Sequence, residues 1–337
     1  MRIFFYSTVF APSVGGIETL VETLCRQFVA LGHEVRLATE APGDAEMPFE
    51  VCRKPSKAQF RERLSWCDIH LQANVSLKSA WAMFYALRKS LYQHNNVYQR
   101  DDGTRRGVDH VKTALARMLP GIANSQYTAQ RTGVRDIVFN AYDDAHFNAH
   151  CHATQRDRDL VFLGRLVSQK GCDTLIDALG RLAGAGLRPS ATVIGDGPDR
   201  DALEHQAAQA GVAGQIRFVG VLKGPALAAE LGRHRVMVVP SRYEEPFGIV
   251  ALEGLASGCL PIVSERGGLV DAVGTHGLVF PNGDAVVLGT RIAAALQDPV
   301  MVQHLLAGVD DHLAQCRARA VAVRYIQIFE RHLERRA

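Results

Sequence analysis

The sequence predicts an α/β protein with two doubly wound domains, each built on a parallel sheet. The first observation is that short apolar runs, typical of buried strands, alternate with amphipathic helical segments along most of the chain. The second is that this alternation starts twice, at residues 3–6 and again at residues 160–163. The third is that 337 residues with 47% hydrophobic content are enough for two hydrophobic cores.

Net charge excludes one class of partner. A formal net charge of +3, with charged residues at 22%, falls short of the strongly basic balance of nucleic-acid-binding proteins. We therefore expect no nucleic-acid partner. The slight positive excess still permits an anionic ligand or a membrane surface.

Cysteine usage and hydropathy predict the compartment. The cysteines are odd in number and scattered, with no C-x-x-C pair, which favours free thiols in a reducing environment. The N-terminal apolar run is too brief for a signal peptide, and no stretch approaches the roughly 18 apolar residues that span a bilayer. The sequence predicts a cytoplasmic protein, with peripheral attachment at the inner face of the membrane left open. The cysteines are Cys25, Cys52, Cys67, Cys151, Cys172, Cys259 and Cys316.

The first half opens with a β–α–β unit. Residues 3–6 predict a strand, residues 17–31 an amphipathic helix, and residues 34–39 a second strand. The pair Gly15-Gly16 precedes the helix and would let a phosphate or a sugar approach the backbone closely. Taken alone, such a pair is most often a turn.

A third strand, residues 68–71, precedes a helical stretch over residues 77–91. A polar loop over residues 92–103 follows and contains His94. The apolar side chains of the helical stretch predict a core stripe, with an acceptor wall as the alternative. They are Trp81, Phe84, Tyr85 and Leu87. A basic cluster follows that could meet an anionic acceptor or lipid head groups, although a solvated surface is the default. Its members are Arg105, Arg106, Lys112 and Arg117.

The second half carries two glycine-lined loops, each after a predicted strand. Residues 164–171 place Arg165 and Lys170 before a helix, and paired cations beside a glycine turn suit a diphosphate. Gly195 and Gly197 form a tight turn after the strand at residues 191–194.

Residues 240–258 predict a strand–loop–helix unit, with Pro246 in the first helical turn and Gly258 at the end. Backbone N–H groups at such a helix start attract anions, whereas the carboxylates of Glu245 and Glu253 accept hydrogen bonds from hydroxyls. This stretch therefore predicts a ligand that combines an anion with a polyol. The alternative is that the helix dipole alone favours these acidic residues.

Two motifs resemble those of a known family. The spacing of Glu245 and Glu253 resembles the E-x7-E signature of retaining GT-B glycosyltransferases of glycosyltransferase family 4, the glycosyl transferases group 1. Residues 164–171 are similar to the family's G-R-(apolar)-x-x-x-K-G motif, position for position. The resemblance implies the GT-B fold, in which two Rossmann-like doubly wound α/β domains face each other across a cleft.

The resemblance also implies roles for residues. Arg165 and Lys170 would grip the donor's phosphates, Glu253 would bind the ribose, and Glu245 would meet the sugar and the adjoining phosphate together with the amides of Phe247 and Gly248. The implied catalytic residues are His94, Arg165, Lys170 and Glu245. The implied donor-binding residues are Gly15, Gly16, Gly195, Gly197, Phe247, Gly248, Ile249 and Glu253.

The assignment of His94 rests on spacing within the resemblance. In related enzymes a histidine that follows a strand of the first domain faces the donor sugar, well before an Ala-x-Ser-like strand end. His94 precedes Ala123-Asn124-Ser125 by a similar interval. His70 competes for the role, but its apolar neighbours Ile69 and Leu71 predict a packed strand histidine.

The implied activity is transfer of a sugar from a UDP- or GDP-linked donor to a hydroxyl acceptor, which gives an α-glycosidic bond without a metal or other cofactor. The acceptor would be a glycan, a lipid-linked group or a small molecule. A nucleotide-sugar epimerase of GT-B fold and a non-catalytic nucleotide-sugar-binding protein are the alternatives, and the oligomeric state is left open. His150-Cys151-His152 could bind a soft metal, but no second cluster accompanies it, so a polar linker is the preferred interpretation.

The predicted domain limits follow from the same pattern. An N-terminal acceptor-binding domain is expected over residues 1–148, and a nucleotide-sugar-binding domain over residues 157–318. The resemblance implies that a terminal helix in residues 319–337 packs back on the first domain.

Overall fold

The computed structural model describes residues 1–13, 15–99, 104–148 and 156–335, which divide into two compact units. The first unit holds the described residues up to 141 and those from 315 onward, and the second holds residues 142–314. The chain thus changes unit directly after Ala141 and again directly after Ala314, whereas the sequence predicts these limits at 148 and 318.

The first unit is built on a seven-stranded sheet in which all the pairings are parallel. Its strands are β1 (Arg2–Ser7), β2 (Glu34–Thr39), β3 (Glu50–Arg53), β4 (Ile69–Ala73), β5 (Ser90–His94), β6 (Gly121–Ala123) and β7 (Asp136–Ile137), in the order β3-β2-β1-β4-β5-β6-β7. Its first helices are α1 (Gly16–Ala30), α2 (Lys57–Trp66), α3 (Met83–Ala86), α4 (Gly107–Met118) and α5 (Gln126–Thr132).

The second unit repeats this plan with a six-stranded parallel sheet. Its strands are β8 (Arg158–Leu163), β9 (Ala191–Ile194), β10 (Ile216–Gly220), β11 (His234–Val239), β12 (Leu260–Ser264) and β13 (Leu278–Phe280), in the order β10-β9-β8-β11-β12-β13. Its helices are α6 (Cys172–Gly184), α7 (Arg200–Gln209), α8 (Gly224–Gly232), α9 (Ile249–Ala256), α10 (Leu269–Val273), α11 (Ala285–Gln297), α12 (Pro299–Leu306) and α13 (Val309–Ala314).

These two sheets confirm the predicted fold class of two Rossmann-like α/β domains. In each sheet the chain first builds outward from the opening strand on one side and then returns to build on the other side. In the second unit the turning point lies between β8 and β11. Ligands of open parallel sheets bind outside the carboxyl ends of the strands at such a turning point, so the loops after β8 and β11 are the expected ligand site.

The first core forms because α1 has an apolar side. Leu20, Leu24 and Phe28 recur at helical spacing and are almost fully buried against the sheet. The last helix, α14 (Ala318–Glu334), packs against α1 in the same unit, with the ring of Phe28 6.3 Å from that of Tyr325 and 5.7 Å from that of Phe329. Burying each such aromatic side chain stabilises the unit by about 1.5–3 kcal/mol.

The predicted helix over residues 77–91 is wrong in its length and in its last part. Only α3 is α-helical, and two 3₁₀ segments, Leu77–Ala82 and Leu87–Lys89, flank it. Residues 90–94 are strand β5, because their backbone pairs with β4 and β6 and all five side chains are buried. The predicted core stripe is also partly wrong, since the side chains of Tyr85 and Leu87 are 62% and 45% exposed.

Two of the sequence-based expectations concern the state of the cysteines and the absence of a membrane-spanning helix. The six cysteines in the described part of the chain are free and buried, as predicted, whereas Cys151 and the whole His150-Cys151-His152 stretch lie outside the described residues. Within the described residues, no single helix is both long and apolar enough to cross a membrane. The bent pair Ala285–Gln297 and Pro299–Ala314 meets the length and composition criteria only when its two helices are taken together.

Candidate functional site

The loops after β8 and β11 interlock through their backbones. Gly171 ends the first loop in a left-handed conformation with φ +70°, and a Cβ atom there would lie 1.9 Å from the carbonyl oxygen of Pro240. The backbone N–H groups of Arg242 and Tyr243 donate to the carbonyl oxygen of Gln169 over 2.8 and 3.2 Å. This contact sets the two loops in a fixed register at the carboxyl ends of the two central strands.

This register brings Lys170 and Glu245 together from positions 75 residues apart. The Lys170 Nζ atom donates to the Glu245 Oε1 atom over 2.8 Å, and the hydroxyl of Ser241 donates to the same oxygen. The Glu245 side chain is 11% exposed and that of Lys170 33% exposed, so the pair lies at the surface end of a largely buried network. A cation and a carboxylate thus stand side by side at the turning point of the sheet.

Arg165 stands in the same loop as Lys170 and differs from it in its contacts. Arg165 is exposed, and no described carboxylate forms an ion pair with its guanidinium. The loop therefore carries one cation held by a carboxylate and one that extends into solvent. Such an exposed guanidinium can bind an incoming phosphate bidentately without first breaking an ion pair.

The expected helix start at Pro246 is wrong. The backbone before Gly248 is instead tied to the loop after β12, because the Gly268 N–H donates to the Glu245 carbonyl oxygen over 2.6 Å and the Glu245 backbone bridges to Gly267. The chain turns at Gly248, where φ is +138°, and α9 begins only at Ile249. Glu245 therefore precedes the helix on a backbone fixed to the loop after β12.

Glu253 lies on α9, in its second turn. Burial, with a smaller contribution from the nearby Asp143 carboxylate, raises the pKa of its carboxyl to about 8. No hydrogen bond from any described residue reaches its side-chain oxygens. A carboxyl that is desolvated and has no donor from the protein is suited to accept hydrogen bonds from a ligand's hydroxyls.

The turn at Gly195 and Gly197 belongs to the same region. A Cβ atom on Gly195 would lie 1.9 Å from the Gly164 carbonyl oxygen, and one on Gly197 would lie 2.2 Å from that of Leu166. Both glycines are thus required by close packing of the turn on the loop after β8. Their contact with the donor stays a prediction.

The predicted glycine pair of the first unit lies at the start of α1. Gly15 precedes the helix in an extended conformation. The Glu18 carboxylate lies close against it, so that a Cβ atom added to Gly15 would be 2.5 Å from Glu18 Oε2. A Cβ on Gly16 would meet no described atom within 4 Å. Gly16 is therefore open to approach, and its role toward a diphosphate stays a prediction.

His94 is placed differently from the expectation of a polar loop. It is the last residue of β5, it has no exposed surface, and its Nδ1 atom is hydrogen-bonded to the Tyr98 hydroxyl over 2.8 Å. Burial lowers the pKa of His94 to about 3, so its imidazole is neutral at neutral pH. The Nε2 atom is buried without a described partner and lies close to Gly121. A contact between His94 and a sugar stays a prediction.

His70 is packed within its strand, as expected. Its ring stacks on Phe4 with centroids 5.2 Å apart, and its Nδ1 atom is hydrogen-bonded to the Ser90 hydroxyl over 2.9 Å.

Sequence reasoning missed two residues that hold the Lys170–Glu245 pair in place. The fully buried Ser241 binds the carboxylate directly, and Asn282 donates from Nδ2 to the Ser241 carbonyl oxygen over 3.1 Å. Asn282 also accepts the Arg266 N–H on Oδ1 over 3.0 Å, which ties this loop to the one after β12. The position of Ser241 directly after an apolar strand was the available signal, whereas Asn282, 41 residues away, gave none.

Among the described residues, no group of three or more His, Cys, Asp or Glu side chains could hold a metal ion.

The second unit matches a family model over a region that contains the site loops of that unit. Residues 150–307 match the glycosyl transferases group 1 family, just under half of the chain. The second unit is thus similar to the group 1 glycosyltransferases, the family that its motifs resemble.

Known proteins are similar to this chain in sequence and in structure. Glycogen synthase from Mycobacterium tuberculosis (strain CDC 1551 / Oshkosh) is 36% identical over 173 residues, which are 50% of this chain and 41% of that protein, so the match spans less than half of the relative. Sucrose-phosphate synthase from Thermosynechococcus elongatus is similar in structure, with a TM-score of 0.82 at 20% identity over 99% of both chains. Anabaena HepE, solved with UDP and glucose, has a TM-score of 0.75 at 20% identity over 98% of both chains. At these identities the structural matches establish the fold, which is that of GT-B structures.

Proposed function

We propose that this protein is a retaining glycosyltransferase of family 4, which moves a sugar from a UDP- or GDP-linked donor to a hydroxyl acceptor and forms an α-glycosidic bond. The observation that carries the proposal is the Lys170–Glu245 pair at the turning point of the second sheet, with Arg165 in the same loop. The cations suit a diphosphate and the carboxylate suits sugar hydroxyls. The group 1 family match and the nucleotide bound to HepE support the same assignment.

In this proposal the donor is held from both of its ends. Arg165 and Lys170 bind the diphosphate, and Lys170 keeps its Nζ contact to Glu245 while it turns a second N–H toward a phosphate oxygen. Because Glu245 Oε1 already accepts from Ser241 and Lys170, its Oε2 atom is the one directed to the sugar. Glu253 binds the ribose hydroxyls with the carboxyl that lacks a donor from the protein.

The chemical step follows from where charge develops. The bond between the anomeric carbon and the donor phosphate breaks, the acceptor oxygen bonds to the same face of that carbon, and the acceptor proton passes to the departing diphosphate. The two cations stabilise the negative charge on the leaving group at positions that the interlocked loops have already set. The first unit, in this proposal, binds the acceptor, which is a glycan, a lipid-linked group or a small molecule.

The experiment that tests this function is the release of nucleoside diphosphate with and without acceptor. A panel of nucleotide sugars is first screened for thermal stabilisation, because a bound donor raises stability by mass action. With the donor so identified, diphosphate should be released only when a hydroxyl acceptor is added. An epimerase would instead change the sugar without acceptor, and a non-catalytic binding protein would release nothing. Either of those results would replace the proposal.

We also propose that transfer needs no metal, because Arg165 and Lys170 supply the positive charge that a divalent ion provides in metal-dependent transferases. Turnover should therefore survive exhaustive dialysis against a chelator, measured by the same diphosphate release. A matched sample with magnesium restored serves as the control. A strict requirement for a divalent ion would refute metal independence and leave the transferase assignment intact.

We propose a cytoplasmic location. Free buried thiols among the six described cysteines are consistent with a reducing compartment.

A further inference from the structure

Large apolar side chains are unevenly exposed over the surface of this protein. Among the described residues, nine large apolar side chains are exposed, and six of these nine fall within residues 77–118 of the first unit. The six are Leu77, Tyr85, Leu87, Val108, Val111 and Met118. Single exposed apolar residues are ordinary, but their concentration in one segment of the chain marks a surface with a role.

The topology puts the two connections that carry these six residues on one side of the first sheet. The chain passes from β4 to β5 to β6 in a constant direction along the sheet, and right-handed crossovers then place both connections on the same face. The connection from β3 to β4, which contains α2, runs in that direction as well, and Phe60 of α2 packs against Trp81 with ring centroids 5.4 Å apart. We call the outer surface of α4 and residues 77–89 the basic apolar face.

Helix α4 shows the pattern most clearly. Thr113 and Ala116 point inward and are buried, whereas Val108, Val111 and Met118 recur at helical spacing on the outer side. Val111 is 50% exposed and Met118 is 81% exposed. This apolar stripe on α4 faces solvent rather than the core, and it has no described packing partner in the first unit.

The charge around this stripe is strongly positive. Residues 77–118 contain eight Lys and Arg against three Asp and Glu, a formal charge of +5, so the rest of the chain carries −2 of the total of +3. Four of these cations flank or lie on α4, and no described carboxylate forms an ion pair with any of them. They are Arg105, Arg106, Lys112 and Arg117.

The neighbouring segment adds an aromatic side chain with a polar tip. Tyr85 is 62% exposed, and the guanidinium of Arg61 lies 4.8 Å from its ring centroid and donates to its hydroxyl over 3.0 Å. Tyrosine and tryptophan with nearby cations are typical of the level of lipid head groups, where one end of the side chain is apolar and the other is hydrated.

We infer that the basic apolar face docks the protein peripherally on an anionic phospholipid surface, through cations that meet the head groups and apolar side chains that enter the acyl boundary. An amphipathic helix with Lys and Arg beside its apolar stripe binds membranes in this way. A second copy of the chain is a poorer occupant, because two copies of a segment with a formal charge of +5 would repel each other when they face each other. The inference is independent of the proposed transferase activity.

The test is flotation of the full chain with vesicles, in the absence of donor and acceptor. The vesicles are phosphatidylcholine alone or phosphatidylcholine mixed with phosphatidylglycerol. The wild type should float only with the anionic vesicles, and less at high salt. Because each Lys or Arg near an anionic surface contributes roughly fivefold in affinity, K112E/R117E should bind at least about 30-fold more weakly. V111S/M118S should also lose binding.

Matched controls lie in the second unit. R188E/K223E reverses two exposed cations there, and V286S/V300S replaces two exposed valines, which are 54% and 74% exposed. Both control variants should float like the wild type, and circular dichroism should show that all variants are folded. The inference is overturned if the wild type does not float with anionic vesicles, or if the α4 variants float as the wild type does. It is also overturned if sedimentation velocity shows a dimer that the α4 variants dissociate, because the face is then a subunit interface.

Discussion

Replacing Lys170 by alanine should lower kcat/KM for the nucleotide-sugar donor by about 10²- to 10³-fold. The lysine is held by Glu245 at the carboxyl ends of the two central strands, where the diphosphate is expected to leave. Its removal takes away a preorganised positive charge and leaves the largely buried Glu245 carboxylate with Ser241 as its remaining side-chain donor among the described residues. The measurement is steady-state release of nucleoside diphosphate.

The control for this prediction is Lys223→Ala, which removes an exposed lysine of the same unit that no described carboxylate binds. It should keep the wild-type kcat/KM. The double variant K170A/E245Q should lose less than the sum of the two single losses, because the two side chains share one hydrogen bond. Wild-type turnover by Lys170→Ala would show that the diphosphate does not bind at this loop.

Replacing Glu253 by glutamine should change how stability depends on pH. Burial raises the folded-state pKa of Glu253 to about 8, above its value of about 4.5 in the unfolded chain. The folded protein therefore binds this proton more tightly than the unfolded chain does. The stabilisation of the folded state that results is complete below pH 4.5 and is lost as pH rises through 8. The wild type should lose on the order of 3 kcal/mol of unfolding free energy between pH 5 and pH 9 from this group, a loss that the variant should lack.

The measurement is urea denaturation of both proteins at pH 5 and pH 9. Glu265→Gln, which alters an exposed carboxylate of the same unit, is the control and should keep the wild-type pH dependence. At pH 9, where the Glu253 carboxyl is ionised, thermal stabilisation by the donor should also be smaller in Glu253→Gln, because an amide accepts hydroxyl hydrogen bonds less strongly than a carboxylate. An unchanged pH profile would mean that the Glu253 carboxyl is hydrated in solution.

The strands and most of the loops of the second unit could be predicted from the sequence because their signals are local. A buried parallel strand reads as a short apolar run, and the glycines and cations that follow it stand within a few residues. Arg165, Lys170, Gly195 and Gly197 each follow such a strand closely, and the structure places their loops against one another.

The first unit was harder to predict where short elements follow one another. Residues 77–91 are apolar at roughly helical spacing, yet the chain forms one turn of α-helix between two 3₁₀ segments and then enters β5. Pairing with β4 and β6 decides this, because the backbone hydrogen bonds of a central strand outweigh weak local helix preference. The same competition put His94 at a strand end rather than in a loop.

The sequence by itself determined the two α/β domains, the positions of the glycine-lined loops and the chemical types of side chain that they carry, because periodicity and turn residues are local properties of the chain. Only the tertiary structure decided that Lys170 binds Glu245, that Ser241 and Asn282 support the pair, and that α9 begins after Gly248. It also decided the raised pKa of Glu253 and the exposure of the stripe on α4. These properties depend on which distant segments pack together and exclude water, and that information is not present in any single stretch of sequence.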